Sequence, residues 1–226
     1  MSSTQASAAV TAVAPPGTRW AAAARRTLDL AVAVTLLLVL APVLLLVAAL
    51  VRIESRGSPI FRQRRVGRGE APFTVYKFRT MCAGADAAPH RVYVTGLIAG
   101  VADAREGEHL YKLVGDDRVT RVGRILRRTS LDELPQLVNV VRGEMSLVGP
   151  RPVIAYEVEH YAPWYRRRFA VKPGLTGLWQ VSGRNERTYQ EMIRLDVEYV
   201  ERQSLSLDVS ILARTAWVVL TGRGAA

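Results

Sequence analysis

At 226 residues the chain has room for one compact domain plus an appendage. Its 49% hydrophobic content suffices for a core, and a formal net charge of +11 with a pI of about 10.5 points to an anionic partner: nucleic acid, acidic lipid or a phosphate-bearing substrate. One cysteine, Cys82, excludes an internal disulfide, and three scattered histidines show no zinc-site spacing, so a body facing a reducing compartment fits.

Residues 1 to 24 are rich in Ala, Ser, Thr and Pro and lack a periodic pattern, which reads as a disordered leader ending at Arg25 and Arg26. From Leu30 to Val51 run 22 residues without a charge, long enough for a hydrocarbon core of about 30 Å. A cleaved signal has a shorter apolar run, of about 7 to 15 residues, and lies nearer the N-terminus. Pro42 stands in the middle of the segment, where an interior proline removes a helical hydrogen bond and bends the chain. Both flanks are basic: Arg25 and Arg26 precede the segment, and Arg52, Arg56, Arg62, Arg64 and Arg65 follow it. Basic flanks prefer the cytoplasmic side, so a straight span strands one flank outside, whereas a broken helix that dips in and returns keeps both inside. On residues alone both forms stand.

Pro59 to Val66 and Pro72 to Thr80 each read as a strand, joined at Gly67-Arg68-Gly69-Glu70 into a hairpin. Alternation puts Phe73, Val75, Lys77 and Arg79 on one face, so Lys77 and Arg79 aim together either as a phosphate-binding pair or as a solvated basic edge. Residues 82 to 110 are uninformative beyond a loop with a short helix. Lys112 to Thr120, with Asp116-Asp117, reads as a turn. Arg118, Arg121, Arg124 and Arg127 then recur every three residues, with Arg128 alongside and Val119, Val122, Ile125 and Leu126 expected to pack inward. Such a stripe lies on acidic headgroups, lines an anionic pocket or is simply solvated.

The stretch Thr129 to Pro152, TSLDELPQLVNVVRGEMSLVGPRP, holds the acidic pair Asp132 and Glu133. Ser130 with Glu133 fits a capping box, and Pro135 suits a first helical turn. Leu134, Leu137, Val138 and Val141 recur at helical spacing to about Arg142, and Gly143 is a stop. At a helix start the two acids serve as caps or as chemical groups. Pro150 and Pro152 hold Arg151 in extended backbone, which suits bidentate contact with a phosphate or diphosphate. Val153 to Phe169 reads as helix until Pro163, with Trp164 to Arg168 mixing aromatics and cations as interfacial segments do. Lys172-Pro173-Gly174 opens a loop through Gly177, Trp179 and Gly183. Arg187 to Arg202 reads as a helix with Met192, Leu195 and Tyr199 on one side. Leu205 to Leu220, broken by Asp208 and Arg214, reads as a helix packed on the body or lying at an interface.

The order of these pieces is an apolar segment with a central proline, then SPIFRQRRVGRGEAPFTVYKFRTM, DDRVTRVGRILRRTSLDELPQLVNVVRGEMSLVGPRP and KPGLTGLWQVSGR. It resembles the bacterial monotopic phosphoglycosyl transferases, also called polyprenyl-phosphate sugar-1-phosphate transferases, over roughly residues 27 to 224. The resemblance implies an α+β fold: a re-entrant membrane helix at residues 25–52 broken at Pro42, then a cytosolic catalytic domain at 53–221 and a tail at 222–226. That domain would carry a β-hairpin, interfacial amphipathic helices and a short catalytic helix. Larger relatives carry regulatory domains ahead of this core, so a minimal form is expected. Where many members have Ser-Pro at the break, this chain has Ala41-Pro42.

The implied reaction takes a UDP-sugar, transfers its sugar phosphate to undecaprenyl phosphate at the cytoplasmic face of the cell membrane, and releases UMP. Asp132 takes the nucleophile's role. The family requires a magnesium ion, which Asp132 and Glu133 would hold. Lys77, Arg79, Arg127, Arg128 and Arg151 are the candidate cations for the diphosphate, and Arg184 in WQVSGR resembles the branch that handles glucose or galactose. The partners are then UDP-sugar, undecaprenyl phosphate and the bilayer, with room for a homo-oligomer. No aromatic-rich RNA motif or zinc finger favours nucleic acid. A rival from another class is a membrane-tethered basic lipid-binding protein, indifferent to loss of Asp132. A glycosyltransferase moving sugar without its phosphate would release UDP.

Overall fold

The proline break divides the apolar segment into two helices. In the computed structural model, which describes residues 18–82, 84–86, 88–99, 116–183 and 187–221, α1 (Arg19–Val39) and α2 (Ala41–Glu54) meet at Leu40 with a bend of 62°. Pro42 lies in the first turn of α2, where its missing N–H is harmless but its ring bars α1 from running on. Among the described residues no single helix is long and apolar enough to cross a membrane, but this bent pair meets that test together. α1 starts at Arg19, capped by the Thr18 hydroxyl, so residues 19 to 24 of the expected leader are helical and residues 1 to 17 lie outside the described residues.

Both arms of the pair are tied to the same body. On α1, Arg25 pairs with Asp208 at 3.1 Å, and Arg26 donates to the carbonyls of Val140 and Val141 at 2.6 and 2.8 Å. Asp29 accepts from the Leu147 amide at 2.9 Å and from the Ser146 hydroxyl. Ala33, Val32, Leu36 and Leu37 extend this contact as apolar packing. At the other end, Val47 and Val51 of α2 pack on Phe78 and Leu126, and Glu54 accepts from the amides of Arg121 and Val122 at 2.7 and 3.0 Å. Between these anchors Val34, Leu38, Val39, Val43, Leu45, Leu46 and Leu50 are exposed.

β1 (Ile60–Val66) and β2 (Pro72–Phe78) form the expected antiparallel hairpin, Ile60 opposite Phe78 and Val66 opposite Pro72. Gly69 turns it at φ 63°, in the left-handed region that glycine tolerates. The short helix within 82–110 is α3 (Ala88–Ala99), which buries Val94 and Leu97. Of the expected turn at 112–120, residues 112 to 115 lie outside the described residues; Arg118 pairs with Asp116 at 2.5 Å just ahead of α4 (Arg121–Thr129). α4 corrects one expectation: Ile125 is 62% exposed. Its buried face is set by Leu126 and Gly123, where an added Cβ would meet the Thr80 carbonyl oxygen at 2.1 Å. Adjacent residues diverge by about 100° on a helix, so Ile125 turns outward.

After a 3-10 turn (Leu131–Gln136), α5 (Leu137–Arg142) ends at Gly143, φ 80°, where the spacing placed the stop. β3 (Ser146–Val148) pairs in parallel with β4 (Gly174–Thr176), so the expected loop at 172–183 holds a strand and a 3-10 turn (Trp179–Val181). The expected helix from Val153 shrinks to α6 (Ala155–Val158), followed by a 3-10 turn (Pro163–Ala170). The body engages most of that turn: Tyr165 and Arg168 are buried, Arg166 pairs with Glu70 at 2.7 Å and Arg167 with Glu201 at 2.5 Å, while Trp164 is 38% exposed. Tertiary partners within the body claim cations that composition assigned to headgroups. α7 (Tyr189–Arg202) buries Met192 and Tyr199 as expected, and α8 (Leu205–Thr221) packs Ile211 and Leu207 on the body. The result is a small mixed helix and strand domain with a bent helical pair at its N-terminal end.

Candidate active site

Five pieces of chain converge on one small cleft. β2 supplies Val75 and Lys77, β1 supplies Arg65, the 3-10 turn supplies Glu133 and Gln136, the proline-fenced segment supplies Arg151 and Pro152, and β4 supplies Gly174 and Leu175. Arg65 follows from the hairpin register: it stands opposite Phe73, and Gln63 opposite Val75, so Arg65 shares a face with Val75 and Lys77. Strand alternation carries this signal, although Arg65 also belongs to the basic flank of the apolar segment. Gln136, 2% exposed, carries no comparable sequence signal.

Glu133 is the hub. Its Oε1 accepts from Lys77 Nζ at 2.7 Å and from Arg151 at 3.5 Å. The expected capping box is therefore not formed. Ser130 takes a left-handed conformation, φ 58°, to reverse the chain between α4 and the turn, and the Glu133 carboxylate goes to two cations rather than back to a backbone amide. Asp132, its half-buried neighbour, does not line the cleft; its charge supports the cationic forms of both Lys77 and Arg127, so it stands between the cleft and α4. Burial pushes the Lys77 ammonium below its ordinary pKa, and Glu133 partly offsets that. Arg127 is likewise lowered by burial and steadied by Asp132, and its Nε donates to the Thr80 hydroxyl at 2.9 Å.

Asn139 fixes this geometry from behind. Fully buried, it donates to the Thr74 carbonyl and accepts from the Tyr76 amide, at 2.7 and 3.2 Å. Those groups lie on the edge of β2 away from β1, one residue short of Lys77. Asn139 thus ties the strand carrying Lys77 to the helix that follows Glu133.

The remaining candidate cations fare differently. Arg79 does not aim with Lys77: it follows the end of β2, and its guanidinium donates to the carbonyls of Ser55 and Arg56, just past α2, where a helix end leaves acceptors open. Arg128 is exposed on α4 and makes no ion pair with a described residue. Arg184 lies outside the described residues.

Among the described residues no group of three or more His, Cys, Asp or Glu is placed to hold a metal. Magnesium, however, commonly binds through one or two carboxylates together with substrate phosphates. The adjacent Asp132 and Glu133 fit that shared arrangement and do not make a self-contained metal site.

A family profile described as bacterial sugar transferase matches residues 20–222. The chain belongs to the bacterial sugar transferases. It is 45% identical over 201 residues to a UDP-galactose-lipid carrier transferase of Erwinia amylovora, covering 89% of this chain and 41% of the relative. It is 43% identical over 203 residues to the exopolysaccharide production protein ExoY of Sinorhizobium fredii, covering 88% of this chain and 87% of the relative. A UDP-glucose:undecaprenyl-phosphate glucose-1-phosphate transferase of Caulobacter vibrioides is 43% identical over 205 residues, with 87% and 70% covered. The chain thus spans about two fifths of the Erwinia relative and most of the Sinorhizobium one. The motif order pointed to this family.

Proposed function

We propose that this chain transfers a sugar 1-phosphate from a UDP-sugar, of the glucose or galactose kind, to undecaprenyl phosphate at the cytoplasmic face of the cell membrane. The products are UMP and a lipid-linked sugar that starts an exopolysaccharide, capsule or related glycan. One observation carries the reading: two adjacent carboxylates stand among cations, Glu133 in the cleft with Lys77 and Arg151, and Asp132 beside it, coupled to Lys77 and Arg127. The relatives, a UDP-glucose:undecaprenyl-phosphate glucose-1-phosphate transferase among them, supply the substrate class.

The steps follow from charge and valence. An Asp132 oxygen attacks the β-phosphorus of the donor, the bond from that phosphorus to the bridging oxygen breaks, and UMP leaves with the oxygen. A phosphate oxygen of the lipid then attacks the same phosphorus, the acyl phosphate bond breaks, and the carboxylate is restored. Splitting the transfer lets a soluble donor and a membrane acceptor use one site in turn. Lys77 and Arg151 hold Glu133 and offset the donor's negative charge, while Arg127 steadies Asp132 as an anion. Asp132 and Glu133 are also the residues that would hold magnesium, which when bound lowers the repulsion between carboxylate and diphosphate.

A dip into the bilayer is supported by the two anchored arms. A straight span could not bond Arg26 and Glu54, at opposite ends of the pair, to one body. The test is Asp132→Asn in membranes: UMP release from a UDP-sugar should fall at least about 1,000-fold while membrane attachment persists. Full activity in that variant would remove Asp132 from the reaction, no nucleotide release by wild type together with unchanged lipid binding by the variant would favour the lipid-binding reading, and release of UDP would mean sugar transfer without phosphate.

A further inference from the structure

Beneath the cleft lies a buried polar network that the reaction above does not use. Arg168 and Asp196 are each 1% exposed and paired at 2.5 Å. Arg168 also donates through Nη1 to the Tyr161 hydroxyl at 2.8 Å and through Nη2 to the backbone carbonyl of Arg151 at 2.8 Å. From Tyr161 the network passes to Tyr189 at 2.8 Å and on to Glu157, which is fully buried. Glu157 in turn accepts from the Ile154 amide at 2.8 Å.

These groups meet at the backbone of residues 150 to 154. Proline has no N–H, so residues 150 and 152 cannot donate to a ladder, and their carbonyls must find donors elsewhere. Gly174 N–H donates to the Pro150 carbonyl at 2.8 Å, Arg65 to that of Pro152 at 3.0 Å and Val66 N–H to that of Val153 at 2.8 Å. Arg168 completes the set at Arg151 itself. A buried ion pair is weak evidence for stability, because desolvation offsets its attraction. Its fork geometry, however, fixes three acceptors at once. We propose that Arg168 is a positioning residue for the donor's diphosphate: through the Arg151 carbonyl it sets the direction in which the Arg151 guanidinium meets the cleft. This rests on the reading of the cleft as the UDP-sugar site.

The test is UDP binding by the full-length chain in detergent, measured by calorimetry in wild type, Arg168→Lys, Tyr161→Phe and Arg151→Ala. Lysine keeps the charge facing Asp196 but has no fork to span Tyr161, Asp196 and the carbonyl. Arg168→Lys should weaken UDP binding about tenfold, close to the loss in Arg151→Ala, and Tyr161→Phe about threefold. Each should add nothing further when Arg151 is already alanine, since its effect passes through that side chain. Wild-type affinity in both Arg168→Lys and Tyr161→Phe, or equal weakening with and without Arg151, overturns the proposal. Should the lysine variant fail to fold, the conservative Tyr161→Phe decides on the same criterion. If wild type and Arg151→Ala bind UDP equally, Arg151 does not meet the diphosphate and both readings fall, an outcome distinct from failure at Arg168 alone.

Discussion

Asn139 substitutes for a third strand at the free edge of β2. Besides Thr74 and Tyr76 its amide reaches Glu144 at 2.7 Å, so every polar atom of the side chain is engaged in a site without solvent. Asn139→Asp would set a carboxylate against the Thr74 carbonyl and the Glu144 carboxylate. Leaving buried partners unpaired costs about 1–3 kcal/mol each, so the variant should lose about 3 kcal/mol or more, read as a lower melting temperature in detergent. A loss no larger than that of an exposed control such as Arg128→Ala would contradict this. Asp208 makes a pH-dependent case. Burial pushes its carboxyl up to about 6, against the pull of the Tyr199 hydroxyl and Arg25. Between its ordinary value of 3.8 and 6 the folded state therefore holds the proton more tightly than the unfolded chain. Stability from this group rises as pH falls through 6 and levels off near 3.8. Acidifying from about pH 7 to pH 5 should stabilise wild type by roughly 1 kcal/mol more than Asp208→Asn, which takes up no proton.

At the scale of elements, what depended on local chain geometry was legible and what depended on partners was not. The hairpin, the Gly143 stop and the Pro42 break are written in alternation, glycine and proline, and all three formed as read. The helix expected from Val153 begins only at Ala155, where the Glu157 side chain caps the Ile154 amide while its second oxygen accepts from Tyr189, and it ends at Val158. Arg79 was read from strand parity as a partner of Lys77, but the open carbonyls past α2 lie within its reach. Within the site, Asp132, Glu133, Lys77 and Arg151 were legible as charges, whereas Asn139, Gln136 and Arg168 were not, since burial of a polar side chain depends on contacts from distant chain. The bent pair gives the element-scale prediction. With Cys82→Ser as background, single cysteines at Trp20 and Arg56 should both react with a membrane-impermeant maleimide in inverted vesicles. Protection of one of the two would indicate a straight span and refute the re-entrant reading.

For the whole molecule, a formal charge of +11 and an exposed apolar bend must act on the same surface or compete. The bend presents Leu38, Val39, Leu45 and Leu46, each at least 60% exposed, between two arms bonded to the body. Burying one such side chain in hydrocarbon is worth about 1.5 kcal/mol, so four give about 6 kcal/mol without reference to lipid charge. The arginines act differently. Their attraction to anionic headgroups is about 1 kcal/mol each near the surface and is screened within about 8 Å at physiological salt. Raising salt should therefore weaken binding to phosphatidylglycerol vesicles only down to the level already seen with phosphatidylcholine, and no further. Leu45→Asp with Leu46→Asp should abolish that residual level in a flotation assay, because a carboxylate at the bend must be desolvated to enter. Complete release of wild type by salt alone would show that charge rather than insertion holds the protein to the bilayer. In that case the lipid phosphate would have to reach Asp132 from a surface the bend does not enter.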